Sequence, residues 1–117
     1  MAQRGGSVES HLRFGRQVFS PLIPEGAADF LVAFHPEEAQ RLKKFLTKGG
    51  KDLTVFLEKG MHIPHGTRYL NTYLLGILSA YLPIKESTWL AAIDAAFAHK
   101  NPEQNREVFL QARKEVI

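Results

Sequence analysis

Hydrophobic and polar residues alternate near the start of the chain. Between residues 8 and 14, apolar and polar side chains fall largely on opposite faces. This period of two predicts a strand with one packed face. A tight turn at residues 15–17, followed by Val18 and Phe19, then predicts an N-terminal β-hairpin.

The pattern next changes to an apolar run that is followed by helix signals. Residues 30–34 are apolar throughout, which predicts a strand covered on both faces in a parallel sheet. Pro36 and the two acidic residues after it predict the start of a helix, and Gly49-Gly50 predicts its end. Residues 53–57 form a second apolar run, so a right-handed strand–helix–strand unit is expected. The apolar face of the helix is predicted to be Ala39, Leu42, Phe45 and Leu46.

The second half of the chain has helical periodicity. Residues 69–82 are apolar on nearly all sides and predict a buried helix, in which Gly76 permits close packing and Pro83 stops the helix. Asn101-Pro102 predicts a further helix that Asn101 caps and to which Gln104 reaches back. The inner faces are predicted to be Trp89, Ile93, Ala96 and Phe97 in the middle helix, and Val108, Phe109, Ala112 and Val116 in the last one.

These elements predict an α/β fold. We expect a three-layer domain with a short, mostly parallel sheet plus an N-terminal hairpin, and with the helices concentrated in the C-terminal half. The length of 117 residues suits one domain, so residues 1–117 are expected to form a single domain, although an incomplete one.

Composition narrows the possible functions. The chain has no cysteine, which excludes disulfides, thiolate zinc sites and iron–sulfur clusters ligated by its own thiolates. The absence of cysteine also fits a reducing, cytoplasmic location, which is expected. No apolar run approaches the ~20 residues that cross a bilayer, so no membrane association is expected. The net charge is +3, but the basic residues do not cluster and do not alternate with aromatic ones, so no nucleic-acid partner is expected.

Candidate chemistry is sparse. His62 and His65 form an H-x-x-H pair, but Pro64 lies between them and no glutamate occupies the position of a metalloprotease base. Two exposed loop histidines are therefore favoured, and no metal site is expected. Asn71 and Asn105 lie in apolar or amphipathic helices, and a buried amide needs hydrogen-bond partners, which favours structural bonds to a neighbouring loop.

One short motif stands out at the N-terminus. Gly5 and Gly6 allow a sharp turn or a close approach to another molecule, while Arg4 can bind a carboxylate or a phosphate. No catalytic constellation accompanies the motif. The candidate ligand or subunit contacts are therefore Gln3, Arg4, Gly5, Gly6 and Ser7.

The motif also belongs to a longer resemblance. Residues 3–8, 10–15 and 19–24, followed by Gly26, Ala28-Asp29 and residues 36–39, resemble the γ-type domain of the 2-oxoacid:ferredoxin oxidoreductases. Residues 71–76 and 105–112 fit the same family. Residues 20–26, together with Leu82-Pro83 and Trp89, are most similar to the beta subunit in its indolepyruvate branch.

The resemblance implies a role within a multi-subunit enzyme. Such enzymes decarboxylate a 2-oxoacid with thiamine diphosphate, pass electrons through iron–sulfur clusters to ferredoxin and release an acyl-CoA. It implies that these cofactors are bound by other domains or subunits and that this chain contains no complete active site. The implied substrate is indolepyruvate or another aryl pyruvate, followed by pyruvate or 2-oxoglutarate. The alternatives are a stand-alone anion- or nucleotide-binding module and a purely structural assembly module.

Two departures from the family pattern change the expectations. The glycine-rich strand–turn–helix that opens the family pattern is missing, and the stretch from Gly50 to Thr67 is shorter than in the family. We therefore expect the natural protein to contain residues before Met1. In the middle, either the lineage has shortened this stretch or, as we favour, the sequence lacks intervening residues there. Because the sheet would then be incomplete, apolar surface should be exposed, and a homo- or hetero-oligomer is expected.

Overall fold

The computed structural model describes residues 9–18, 20 and 22–117. It divides into two compact units, Met1–Asp52 and Leu53–Ile117. The first unit contains a small sheet and a short helix, and the second is helical. The predicted α/β class and the concentration of helices in the C-terminal half are therefore confirmed.

In the first unit, a strand–helix–strand segment forms a parallel pair. Strand β1 (Ala28–Leu31) precedes helix α1 (Pro36–Leu42) and a 3-10 turn (Lys43–Phe45), and strand β2 (Leu46–Asp52) pairs with β1 in parallel. The proline in the first turn and the acidic residues beside it start α1 where the sequence predicts. The parallel pairing is thus confirmed.

The second strand was predicted at the wrong residues. Leu53–Phe56 is a 3-10 helix that continues into α2 (Leu57–Gly60). Leu53 and Leu57 are buried, whereas Val55 between them is 77% exposed. This spacing of four residues is helical. The apolar run is therefore a short helical segment with one buried face rather than a strand.

Gly49 and Gly50 do not end a helix, as was predicted, but lie inside β2. The register shifts between Ala28 and Phe30, which makes β2 use extra residues there. Gly49 has a φ of 87°, and a Cβ on Gly50 would lie 3.0 Å from the Ala28 carbonyl oxygen. Glycine at a strand irregularity meets both needs.

Further expectations for the first unit are wrong. Among residues 9–18 no strand forms, so the described part of the predicted hairpin is absent; Val8 and Phe19 lie outside the described residues. Strand β1 ends at Leu31 rather than at Phe34, and the Phe34 side chain is 45% exposed. Leu46 belongs to β2 rather than to the helix. The alternation in residues 8–14 predicted a strand because periodicity alone cannot show whether a pairing partner exists.

The second unit is built on two helices that pack closely. Helix α3 (Leu70–Ser79), preceded by a 3-10 turn (Thr67–Tyr69), lies against α5 (Pro102–Val116), and α4 (Glu86–Ala96) also contacts α5. A Cβ on Gly76 would lie 2.5 Å from the Phe109 carbonyl oxygen, which confirms the close approach predicted at this glycine. The buried side chains of this core are Tyr73, Leu74, Ile77, Val108, Phe109 and Ala112.

Helix ends in the second unit differ from the prediction in two ways. Helix α3 ends at Ser79, before Pro83, and Arg113 donates two hydrogen bonds of 3.0 Å there, to the Ser79 carbonyl and to its hydroxyl oxygen. Helix α5 begins at Pro102 as predicted, but Asn101 has a left-handed backbone (φ 61°) and makes no side-chain capping bond. Its amide instead donates to the Tyr69 hydroxyl at 3.2 Å.

The two asparagines have different environments. Asn105 is buried; its Oδ1 accepts a 2.8 Å bond from Thr72, and its Nδ2 donates to the Lys100 and Asn101 carbonyls. This confirms structural bonding to a neighbouring loop. Asn71 is exposed and accepts a bond from the Thr72 backbone N–H, so the expectation of burial was wrong there.

Candidate functional site

The N-terminal motif was the candidate site in the sequence. Gln3, Arg4, Gly5, Gly6 and Ser7 all lie outside the described residues, so their role as ligand or subunit contacts stays a prediction. The described chain starts at Glu9, two residues after the motif. The structure does describe the contacts that hold the segment directly after the motif, residues 9–11, against the rest of the first unit.

Glu9 and His11 belong to a hydrogen-bonded chain that reaches helix α1. The Ile23 backbone N–H donates to His11 Nδ1 at 3.0 Å, which places the proton of a neutral ring on Nε2. His11 Nε2 lies 2.9 Å from Glu9 Oε2, and Arg41 donates to Glu9 Oε1 at 3.2 Å. The His11 ring also meets the Phe45 ring edge-on, with centroids 5.2 Å apart. Ile23 and Phe45 thus meet the segment of residues 9–11 at His11, and Arg41 joins it through Glu9.

The electrostatics of the Glu9–His11–Arg41 chain favour the charged forms of Glu9 and Arg41. The hydrogen bond from His11 and, next, the bond from Arg41 lower the pKa of Glu9 below its ordinary value of 4.5. The bonds to Glu38 and Glu9 raise the pKa of Arg41, and Arg41 NH2 approaches Glu38 Oε1 to 2.8 Å. All of these groups reach solvent, so each ion pair contributes little stability by itself. Their geometric effect is to hold residues 9–11 against α1.

A second anchor closes the loop that follows. Arg13 NH1 donates to the Ser20 carbonyl at 3.2 Å and to the Leu22 carbonyl at 3.1 Å. These bonds hold the two ends of the loop together, and several apolar side chains between residues 12 and 22 face solvent. Those with large exposed fractions are Leu12 at 79%, Phe14 at 59%, Val18 at 41% and Leu22 at 69%. Single exposed apolar residues are ordinary, but a run of them in one segment suits contact with protein.

The histidine pair lies in the second unit, beside a small cavity. His62 is exposed and 3.3 Å from Glu58, as expected of a loop histidine. His65 differs from the expectation: its side chain is only 14% exposed, because its ring packs edge-on against Tyr69 with centroids 6.3 Å apart. Among the described residues, no three histidine, aspartate or glutamate side chains group closely enough to hold a metal ion.

The cavity between these residues and α5 has a volume of about 170 Å³. Inside it the Tyr73 hydroxyl donates to Glu115 at 2.7 Å, and Lys59 lies 3.1 Å from the same carboxylate oxygen. Burial, followed by this hydrogen bond, raises the pKa of Tyr73. The volume is below the ~300 Å³ at which ligand pockets begin, and its polar groups bond to one another. The cavity is therefore read as structural.

Sequence reasoning missed the Glu9–His11–Arg41 chain. The partners of Glu9 are 2 and 32 residues away, and neither spacing marks a known motif. The available signal was the position of Glu9 and His11 directly after the glycine-rich motif. Exposed acid–base pairs are too frequent for that signal to single them out.

No helix in the described part of the chain has both the length and the apolar character needed to span a membrane. Solved structures offer no match to this chain. The sequence does match a known protein family and curated proteins. The Archaeoglobus fulgidus indolepyruvate oxidoreductase subunit IorB is 62% identical over 48 residues, which are 41% of this chain and 23% of that protein.

Two further relatives carry the same name. The IorB subunits of Thermococcus kodakarensis and Pyrococcus horikoshii are each 48% identical over 50 residues, which are 43% of this chain and 25% of those proteins. The match thus spans about a quarter of the length of these curated relatives. Residues 1–64 match the family pyruvate ferredoxin/flavodoxin oxidoreductase. This segment is more than half of the sequence, and it contains the N-terminal motif, the hydrogen-bonded Glu9–His11–Arg41 chain and the parallel strand pair. The protein therefore belongs to the pyruvate ferredoxin/flavodoxin oxidoreductase family.

Proposed function

We propose that the chain is a γ-type domain, not catalytic alone, in a subunit of a 2-oxoacid:ferredoxin oxidoreductase of the indolepyruvate type. The carrying observation is the family match over residues 1–64 together with relatives at 48–62% identity that are named as indolepyruvate oxidoreductase subunits. The assembled enzyme would oxidatively decarboxylate indolepyruvate or another aryl pyruvate to an acyl-CoA and reduce ferredoxin. Residues 1–117 would act as one domain of that subunit.

The chemistry of the residues supports a contact role over a catalytic one. The cysteine-free sequence cannot ligate an iron–sulfur cluster through thiolates, so the clusters would be held by other domains or subunits, and the family resemblance implies the same for thiamine diphosphate. The Glu9–His11–Arg41 chain holds the segment that follows Gln3–Ser7. The motif would therefore be presented to a partner from a fixed point, in a cytoplasmic complex.

The exposed apolar side chains support an oligomer. Leu12, Phe14 and Leu22 are each more than half exposed in the family-matched segment, and burying them against protein would gain roughly 25 cal/mol per Å² of apolar area. We propose that this loop is covered by other parts of the oxidoreductase.

Co-expression with the partner subunits of an indolepyruvate oxidoreductase tests the proposal. The 117-residue chain is expected to co-purify with them, and the complex should reduce ferredoxin when indolepyruvate and coenzyme A are both present. Arg4→Ala should lower this rate, whereas Lys114→Ala, which removes an exposed lysine of α5 outside the family-matched segment, should not. Failure to associate would contradict the proposal. Association with unchanged turnover in Arg4→Ala would favour a purely structural module, and binding of coenzyme A or nucleotides by the isolated chain would favour the stand-alone module.

A further inference from the structure

A cleft in the second unit is lined by hydrogen-bond donors and by no carboxylate. It has a volume of about 350 Å³ and is lined by Arg68, Tyr69, Phe97, Lys100, Asn101 and Asn105, with Asn71 beside them. This volume lies in the range of small-molecule sites. The cleft lies outside the residues that match the family, and the proposed function does not use it.

Two cations of the cleft lack an acidic partner. In the described part of the chain, neither Arg68 nor Lys100 forms an ion pair, whereas Lys59, Arg106 and Arg113 of the same unit each lie within 3.3 Å of a carboxylate oxygen. Arg68 instead stacks over the Tyr69 ring, 5.1 Å from its centroid. With no acid in the lining, the two positive charges attract anions into the cleft.

Tyr69 contributes a buried donor with no acceptor. The residue is 6% exposed, and its hydroxyl oxygen accepts bonds from Arg68 NH2 at 3.3 Å and Asn101 Nδ2 at 3.2 Å. A phenolic hydroxyl can both accept hydrogen bonds and donate its proton. In both of these bonds the oxygen is the acceptor, and no described residue accepts the proton, so the O–H is free to donate to a bound group.

The far wall of the cleft is held in place. The Lys100 backbone N–H donates to the Phe97 carbonyl at 2.9 Å, and buried Asn105 donates to the carbonyls of Lys100 and Asn101 at 3.3 and 3.1 Å. Because the Asn105 Nδ2 is bonded to this loop and its Oδ1 to Thr72, Asn105 fixes the wall rather than binding a ligand. Half-buried Phe97 adds an apolar surface beside the cations.

We propose that this cleft binds a small aromatic molecule that carries an oxyanion, either a carboxylate or a phosphate. Arg68 and Lys100 supply charge, the Tyr69 hydroxyl donates to an anionic oxygen, and Phe97 packs on the ring. Bonds from charged donors to such oxygens are stronger than neutral ones, and the ring adds apolar burial that an inorganic ion cannot provide.

Titration of the isotope-labelled 117-residue chain by NMR tests this, with phenyl phosphate and phenylacetate as probes. At least one probe should shift the backbone amides of Tyr69, Lys100 and Asn101, and comparison of the two identifies the preferred oxyanion. Neutral benzyl alcohol should bind at least about tenfold more weakly than the preferred probe, as expected for loss of a charged hydrogen bond. Equal binding of benzyl alcohol, or shifts from neither probe, would overturn the proposal.

Variants separate the site from general surface charge. Arg68→Ala and Lys100→Ala should each weaken binding of the preferred probe about tenfold, and Tyr69→Phe should weaken it while keeping the ring. Lys114→Ala removes an exposed lysine of α5 outside the cleft and should leave binding unchanged. Equal loss in Lys114→Ala would show nonspecific attraction and overturn the site. Inorganic phosphate that bound as tightly as phenyl phosphate would overturn the role of Phe97.

Discussion

Gly76 on α3 and Phe109 on α5 bring their helices closer than any larger residue at position 76 would allow. A Cβ added to Gly76 would lie 2.5 Å from the Phe109 carbonyl oxygen and 2.8 Å from the Ala112 Cβ. Two of the three nearest neighbours are backbone atoms, which cannot rotate away as a side chain can. The closeness of α3 and α5 therefore depends on the missing side chain.

Gly76→Ala is expected to destabilise the second unit despite the better helix propensity of alanine. That propensity contributes ~1 kcal/mol in favour of the variant, while overpacking of a helix interface costs ~1–3 kcal/mol. We expect a net loss of about 1 kcal/mol in the free energy of unfolding, measured with urea. The exposed Ala91→Gly substitution on α4 reports the propensity difference alone, and a stabilised Gly76→Ala variant would contradict the packing argument.

Thr72→Val should destabilise the chain because it removes the donor to buried Asn105. The 2.8 Å bond from Thr72 to Asn105 Oδ1 joins α3 to α5, and valine has nearly the same shape without the hydroxyl. A buried acceptor left without its donor costs about 1–3 kcal/mol. Thr88→Val, on the exposed side of α4, should change the unfolding free energy by less than about 0.5 kcal/mol. Equal effects of the two substitutions would refute the role of this bond.

Glu9 is expected to titrate below its ordinary pKa of 4.5, first because of its bond with His11 and then because of Arg41. A carboxylate whose folded pKa is depressed stabilises the folded state above its unfolded pKa. That contribution is lost as the pH falls through the folded value. Carbon-detected NMR of the Glu9 carboxyl measures the pKa directly.

The partners of Glu9 can be tested one at a time. His11→Ala and Arg41→Ala should each raise the Glu9 pKa toward 4.5, because each removes one hydrogen bond to the carboxylate. Arg16→Ala, which removes an exposed arginine elsewhere in the same unit, serves as the control. An unchanged Glu9 pKa in both partner variants would show that the chain of bonds does not persist in solution.

Tyr73 should remain protonated to higher pH than an ordinary phenol, because burial and its bond to Glu115 raise its pKa above 10.0. As the pH rises past the unfolded value, the unfolded phenol loses its proton while the folded one keeps it. Folding stability therefore declines in that alkaline range. Alkaline titration followed by ultraviolet absorbance should show late ionisation of Tyr73, and Glu115→Gln should bring its ionisation to lower pH. Tyr73→Phe identifies the signal, and early ionisation of Tyr73 would contradict the prediction.

The sequence by itself determined the class of the fold and most of the helices. Pro36 with its acidic neighbours started α1, and Asn101-Pro102 preceded α5, because proline is tolerated in a first helical turn and acids favour the helix dipole there. The small residue at Gly76 was also recognisable, since glycine inside an apolar helix has few other reasons to occur. These features depend on residues close together in the chain.

Tertiary structure decided where the second strand lies and what the polar residues do. The run from Leu53 to Leu57 fits a strand or a helical turn equally well by composition, and burial of every fourth residue settled it as helical. Gly49-Gly50 can end a helix or occupy a strand irregularity, and pairing with Ala28 selected the second. The partners of Glu9 and Asn105 lie up to 32 and 33 residues away. Local sequence patterns do not reveal partners this far apart in the chain, because hydrogen bonds between elements form only once packing has brought the elements together.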